Sequence, residues 1–164
     1  MSEMLTGGCQ CGAVRYRVAG PPHHASICNC RMCQKALGNL MAPFANFEAS
    51  VEWTRGGPTF FQSSARVRRG FCNRCGTPLT YQWGENNPSL TIGSFDRPNA
   101  ILPTVELARD NRHPVFAHYD DLIEEPLGAM DEERDLLAIL NSYQHPDQDT
   151  SNWSPPNGNS RSKQ

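Results

Sequence analysis

Seven cysteines in a chain of 164 residues fall into three tight groups, "CQC" at 9–11, "CNCRMC" at 28–33 and "CNRC" at 72–75. Such spacings suit thiolate metal ligands in a reducing compartment, where disulfides are rare, and the odd total argues against a framework of paired bridges. Cys9 and Cys11, two apart in extended chain, point their sulfurs to one side. Cys72 and Cys75 precede Gly76, which permits the tight turn that aims backbone N–H groups at metal-bound sulfur. These four make a closed set for one zinc ion. Its halves lie about 60 residues apart, so the ion would tie distant segments together and act structurally.

Cys28, Cys30 and Cys33 are left with no fourth cysteine. Three thiolates on zinc leave one position for an exogenous ligand, the pattern that separates a catalytic zinc from a structural one. Three thiolates also leave the ion electron-rich, so exchange of a fourth thiol suits it better than activation of water. His24, His113 and His118 are the histidines that could close the site instead. Three unmetallated thiols are a further reading, opposed by the repulsion between neighbouring thiolates. Arg31 and Lys35, together with Arg66, Arg68 and Arg69, could hold a substrate carboxylate or simply form a solvated charged surface. Asp96 and Tyr81 could each move a proton, and the sequence selects neither.

The elements that must position these residues are mostly short strands. "AVRYRVAG" alternates Val14, Tyr16 and Val18 against Ala13, Arg15 and Arg17, the period of a half-buried strand. "LMAPFANFEASVEWTRG", "PTFFQSSARVRRGFC", "PLTYQW" and "SLTIGSF" add β-branched and aromatic runs broken by Gly and Pro turns, which predicts a mainly β domain. Helix is expected only near the end, where "MDEERDLLAILNSY" puts acids before Leu136, Leu137, Ile139 and Leu140. The expected organisation is a zinc-binding domain over 1–130, a terminal helix over 131–143 and a disordered polar tail over 144–164.

Composition narrows the partners. A net charge of -2 and a pI near 6.2 provide no basic field for nucleic acid or an anionic membrane. The first residues lack a basic and an apolar stretch, and "LLAIL" is too short to span a bilayer, so a cytoplasmic protein is expected. Nothing in the sequence speaks to oligomeric state.

"GGCQCGAVRY", "CNCRMCQKALG", "FCNRCGTPLTY" and "GSFDRP" resemble, in order and spacing, the glutathione-dependent formaldehyde-activating family, which also includes centromere protein V. The resemblance covers roughly residues 6 to 125. It implies a β-tent fold with two zinc ions per chain. Cys9, Cys11, Cys72 and Cys75 match the family's structural site, and Cys28, Cys30 and Cys33 match its catalytic one. The activity implied is that of a carbon–sulfur lyase, condensing glutathione or a related thiol with formaldehyde or another small aldehyde to an S-(hydroxymethyl)glutathione-like product. Arg31 and Lys35 would then hold a glutathione carboxylate. The alternatives are a glutathione- or zinc-binding protein without turnover, and an interaction module that uses zinc for stability.

Overall fold

Period-two alternation gives the strands that flank the site one face for the core and one for the cavity. The computed structural model describes residues 3–125, 134 and 142–154. Among them, β1 (Met4–Gly8), β2 (Arg15–Ala19) and β5 (Glu52–Arg55) form a three-stranded antiparallel sheet in the order β1-β2-β5. β3 (His24–Cys28), β4 (Ala42–Asn46), β6 (Thr59–Gln62), β7 (Val67–Phe71), β8 (Pro78–Trp83), β9 (Ser89–Thr91) and β10 (Val105–Leu107) form the second sheet. Its order is β10-β3-β4-β9-β8-β7-β6, antiparallel except where β10 runs parallel to β3. One short helix, α1 (Arg31–Leu37), follows β3. The expectation of a mainly β protein is met.

The core is formed by one face of each sheet. Leu5, Tyr16 and Val18 from the small sheet pack with Ala25, Ala45, Leu79 and Leu90 from the large one. Tyr16 has no exposed surface, and its hydroxyl shares a 2.8 Å hydrogen bond with Ser94. Trp53 and Phe95 meet the Tyr16 ring edge-on at 5.7 and 5.3 Å.

Four features depart from the sequence reading. Arg15, expected on the polar side of its strand, is 2% exposed, and its Nη1 and Nη2 donate to both carboxylate oxygens of Asp96 at 2.8 and 2.5 Å. A bidentate partner lets the arginine occupy a buried position that alternation would assign to solvent. Strands β1, β3 and β10 are additional to those expected, and α1 is a helix far upstream of the expected terminal one. Residues 144–154 pack against the "CQCG" loop in place of a disordered segment. The His145 N–H donates to the Gln10 carbonyl at 2.7 Å, and Trp153 Nε1 donates to the Cys11 carbonyl at 3.2 Å. The His145 and Trp153 rings meet at 5.2 Å, an apolar contact that the polar composition of the segment conceals. The expected helix over 131–143 lies outside the described residues except for Arg134, Ser142 and Tyr143, and residues 155–164 also lie outside them.

Candidate metal centres and the adjoining cavity

The seven cysteines, all free of disulfides, gather into two clusters. The Sγ atoms of Cys9, Cys11, Cys72 and Cys75 lie within 4.8 Å of one another, as do those of Cys28, Cys30 and Cys33. In the first cluster Cys9 and Cys11 are separated by 3.6 Å, and Cys11 and Cys72 by 3.9 Å. A tetrahedral zinc with bonds of about 2.3 Å has an edge of about 3.8 Å between sulfurs, so this donor set fits the ion.

Local backbone explains the four-cysteine cluster. "CQCG" and "CNRCG" each turn at a glycine with positive φ, +70° at Gly12 and +81° at Gly76. A side chain at either position would be strained, and a Cβ at Gly12 would also meet His145 and Trp153 at 2.4 Å. The turns direct the Val14 N–H to Cys9 Sγ at 3.2 Å and the Arg74 N–H to Cys72 Sγ at 3.4 Å. Burial raises the Cys75 thiol, yet hydrogen bonds from the Thr77 hydroxyl and neighbouring backbone outweigh it and bring the pKa down to about 6. Cys9 and Cys72 belong to the main hydrophobic core.

The three-cysteine cluster sits where β3 gives way to α1. Cys28 ends the strand, Cys30 caps the helix by accepting the Cys33 N–H at 3.4 Å, and Cys33 lies on the first helical turn. Two buried amides hold this junction. Asn29, 1% exposed, donates to Glu106 Oε1 at 3.0 Å, and its backbone N–H donates to the Leu107 carbonyl at 3.0 Å. Gln34 Nε2 donates to the carbonyls of Leu40 and Asn111 at 2.9 and 3.1 Å. Sequence reasoning missed both residues, although an asparagine between two ligand cysteines is a signal that the intervening backbone is anchored.

Arg69 reaches this cluster from β7. Its Nη2 donates to Cys33 Sγ at 3.3 Å, its Nε donates to the Ser63 hydroxyl at 3.0 Å, and its guanidinium lies 5.1 Å from the Tyr81 ring. Burial pushes the Cys33 thiol up to about 12, against the opposing pull of Arg69. Cys30 lies below its usual range because the hydrogen bonds from Cys33 and its neighbours prevail over burial.

The structure separates the other candidates. Arg31 and Lys35 are exposed on α1, and neither Arg66 nor Arg68 lines the cavity beside the three cysteines. His24 lies on the Cys28 face of β3 but four residues earlier, about 13 Å along an extended strand. His113 and His118 are exposed and engaged locally with Val115 and Asp121. Among the described residues no histidine or carboxylate joins the three sulfurs. Asp96 is held by Arg15 and Thr6, and of the two proton-moving candidates only Tyr81 lines the cavity.

That cavity, of about 390 Å³, opens from the three cysteines along the large sheet. Register puts its lining on one face. Ser26 pairs with Phe44, His24 with Asn46, Val67 with Trp83 and Arg69 with Tyr81, while Ala25, Ala45 and Leu79 of the same strands turn to the core. Leu107 of β10, in register with Cys28, and Met32 of α1 complete the walls nearest the cysteines.

The sequence pattern of the glutathione-dependent formaldehyde-activating enzyme family matches residues 4–110, which contain all seven cysteines and the ten strands found among the described residues. The chain belongs to this family. A Halomonas elongata protein that bears the family's name is 33% identical over 85 residues, a match covering 46% of this chain and 54% of that relative. This family member therefore spans about half the length of that relative. A crystal structure of a Rhodobacter sphaeroides protein shares 26% identity, covers 64% of this chain and 93% of its own, and superposes with a TM-score of 0.41. In the family member described here no helix among the described residues is long and apolar enough to cross a membrane.

Proposed function

We propose that the protein joins a thiol to an aldehyde, in the manner of an S-(hydroxymethyl)glutathione synthase, with zinc held by Cys28, Cys30 and Cys33. The observation that carries this reading is the incomplete donor set: three sulfurs within 4.8 Å of one another, no fourth donor among the described residues, and a cavity alongside. Cys9, Cys11, Cys72 and Cys75 hold a second, structural zinc. Bound at the three cysteines, zinc supplies a site at which a substrate thiol is held as its thiolate at neutral pH.

The chain's own residues arrange the rest. Arg69 balances the charge gathered on the sulfurs through its hydrogen bond to Cys33, and Ser63 fixes the guanidinium. The substrate sulfur attacks the carbonyl carbon, a carbon–sulfur bond forms, the carbonyl π pair moves to oxygen, and that oxygen takes a proton. Tyr81 is placed to give it, since burial and the neighbouring Cys33 keep its phenol protonated above the usual range. The reverse sequence cleaves the same bond. Arg31 and Lys35, outside the cavity on the helix that bears Cys33, meet the carboxylates of a peptide thiol such as glutathione. Seven free cysteines suit a cytoplasmic setting.

Metal analysis and calorimetry test the reading together. The wild type should hold two zinc ions and Cys30→Ser one. Glutathione should bind the wild type with release of about one proton near neutral pH, because the thiol ionises on ligation. S-methylglutathione should bind more weakly and release none. Equal affinity and equal proton release for the two peptides would refute thiol ligation, and glutathione binding without accelerated adduct formation would leave a binding protein.

A further inference from the structure

The cavity beside the three cysteines is poorly matched to the smallest aldehyde and to a charged peptide thiol. Its volume of about 390 Å³ is more than ten times the ~30 Å³ share of one water molecule, the size class of formaldehyde. Its walls carry Phe44, Val67, Tyr81, Trp83, Leu107 and Met32. Glutathione brings two carboxylates and an ammonium group. Among the described lining residues Arg69 is the one permanent cation; its Nε and Nη2 serve Ser63 and Cys33, and its buried, unpartnered Nη1 leaves one donor group for a single polar end of a ligand. A ligand chamber of this size with mainly apolar walls and a few convergent polar groups suits an apolar body with one reactive end.

We infer that the substrate reacting at the three-cysteine site carries an aromatic or branched aliphatic group, seated between Phe44, Val67 and Trp83 with its reactive end toward Cys28 and Cys33. The inference rests on the proposed thiol addition and names its substrate class. The apolar group belongs either to the aldehyde, with a thiol such as glutathione entering from outside, or to the thiol itself. In both cases the sulfur–carbon bond forms at the cysteine end, and the carbonyl oxygen takes up one proton for the one lost by the thiol.

The fold explains why this wall is open to such a role. Phe44 and Ala45 are consecutive residues of β4, one toward the cavity, where Phe44 packs with Ala42, Cys33 and Tyr81, and one toward the main core, so the cavity wall is a built apolar surface separate from that core. Trp83 remains 48% exposed at the end of β8, an arrangement with a cost in water that a seated apolar group would relieve.

Three measurements on the zinc-loaded full chain decide the matter. Benzyl alcohol, which has the apolar body but neither thiol nor carbonyl, should bind about 10- to 100-fold more tightly than methanol. Its binding should show a negative heat-capacity change and quench a tryptophan signal that Trp83→Phe removes. Trp83→Ser should weaken that binding about tenfold, and Ser26→Phe, which fills the cavity from β3, should abolish it without lowering the melting temperature. Adduct formation is then compared for glutathione with phenylacetaldehyde, benzyl mercaptan with formaldehyde, and glutathione with formaldehyde. A higher kcat/KM in the first or second pair supports the inference and identifies which substrate carries the group. Benzyl alcohol binding no tighter than methanol, or a third pair at least as fast as the others, overturns it while leaving thiol addition in place. Benzyl alcohol bound at Trp83 with no adduct from any pair upholds the cavity's selectivity and defeats the thiol-addition reading.

Discussion

Removing one cysteine from each cluster should have unequal effects on folding. Cys11 and Cys72 are 61 residues apart, so a zinc ion joining them closes a long loop, whereas Cys28, Cys30 and Cys33 lie within six consecutive residues. Treating each closure as a cross-link, the entropy removed from the unfolded chain is worth about 4 kcal/mol for the long loop and about 2 kcal/mol for the short one. Burial widens the gap: Cys72 is fully buried in the main core, and Cys30 is half-buried beside the cavity. Cys72→Ala should therefore cost at least about 2 kcal/mol more than Cys30→Ala, or about 4–8 °C in melting temperature for a chain of this size. Urea unfolding followed by far-ultraviolet circular dichroism, with zinc present, gives both free energies. Equal losses, or a larger loss for Cys30→Ala, would refute the division into structural and reactive centres.

Asp96→Asn should cost up to about 3 kcal/mol in the same assay, because the buried Arg15 would keep only the half-exposed Asp149, 3.6 Å away, as a charged partner, while Arg15→Met/Asp96→Leu together should recover most of it. Burial alone would raise the Asp96 carboxyl, but hydrogen bonds from Arg15 and Thr6 and the arginine charge hold it below its usual range. Its contribution is complete above about pH 4 and is lost as pH falls through the lower folded value, so Asp96→Asn should flatten the acid limb of the stability profile. Gly12→Ala should lift residues 142–154 from the first cysteine turn and expose them to limited proteolysis, since the added Cβ is strained and meets His145 and Trp153. Arg69→Met should weaken zinc at the three cysteines about tenfold, measured by chelator competition, and leave the four-cysteine site unchanged.

The cysteine clusters were legible because metal-ligand spacing is local: each turn or strand end presents its sulfurs through a handful of adjacent residues. Their partition into four and three, which joins segments far apart in sequence, followed from the completeness of one donor set and the shortfall of the other, and the sulfurs gather accordingly. The strands with alternating β-branched and aromatic residues were legible for the same reason. β3 was not, because "HASIC" has no clear alternation and its identity depends on pairing with both β4 and β10. The seven-residue α1 is too short for a periodic signal, and its start is set by a cysteine acting as cap. Arg69 could have been singled out from the three arginines of "ARVRRG": the strand period places it on the face of Val67 and leaves Arg66 and Arg68 on the other. Arg15 could not, since its buried partner Asp96 lies 81 residues away.

The sharing of single strands between core and cavity also bears on how new specificities arise. Residues 24, 26, 44, 46, 67 and 83 face the chamber, while their neighbours Ala25 and Ala45 carry the packing that keeps the sheet together. Changes at the polar or half-exposed positions of the first set, His24, Ser26, Asn46 and Trp83, alter what is recognised, and changes at Ala25 and Ala45 alter whether the protein folds, with the buried Phe44 and Val67 bearing on both. Because most random substitutions threaten folding before they touch function, this separation lets the chamber vary widely while the cysteines and the core stay fixed. A lineage built on such a sheet can pass from one carbonyl or thiol to another by single steps that selection on stability does not oppose.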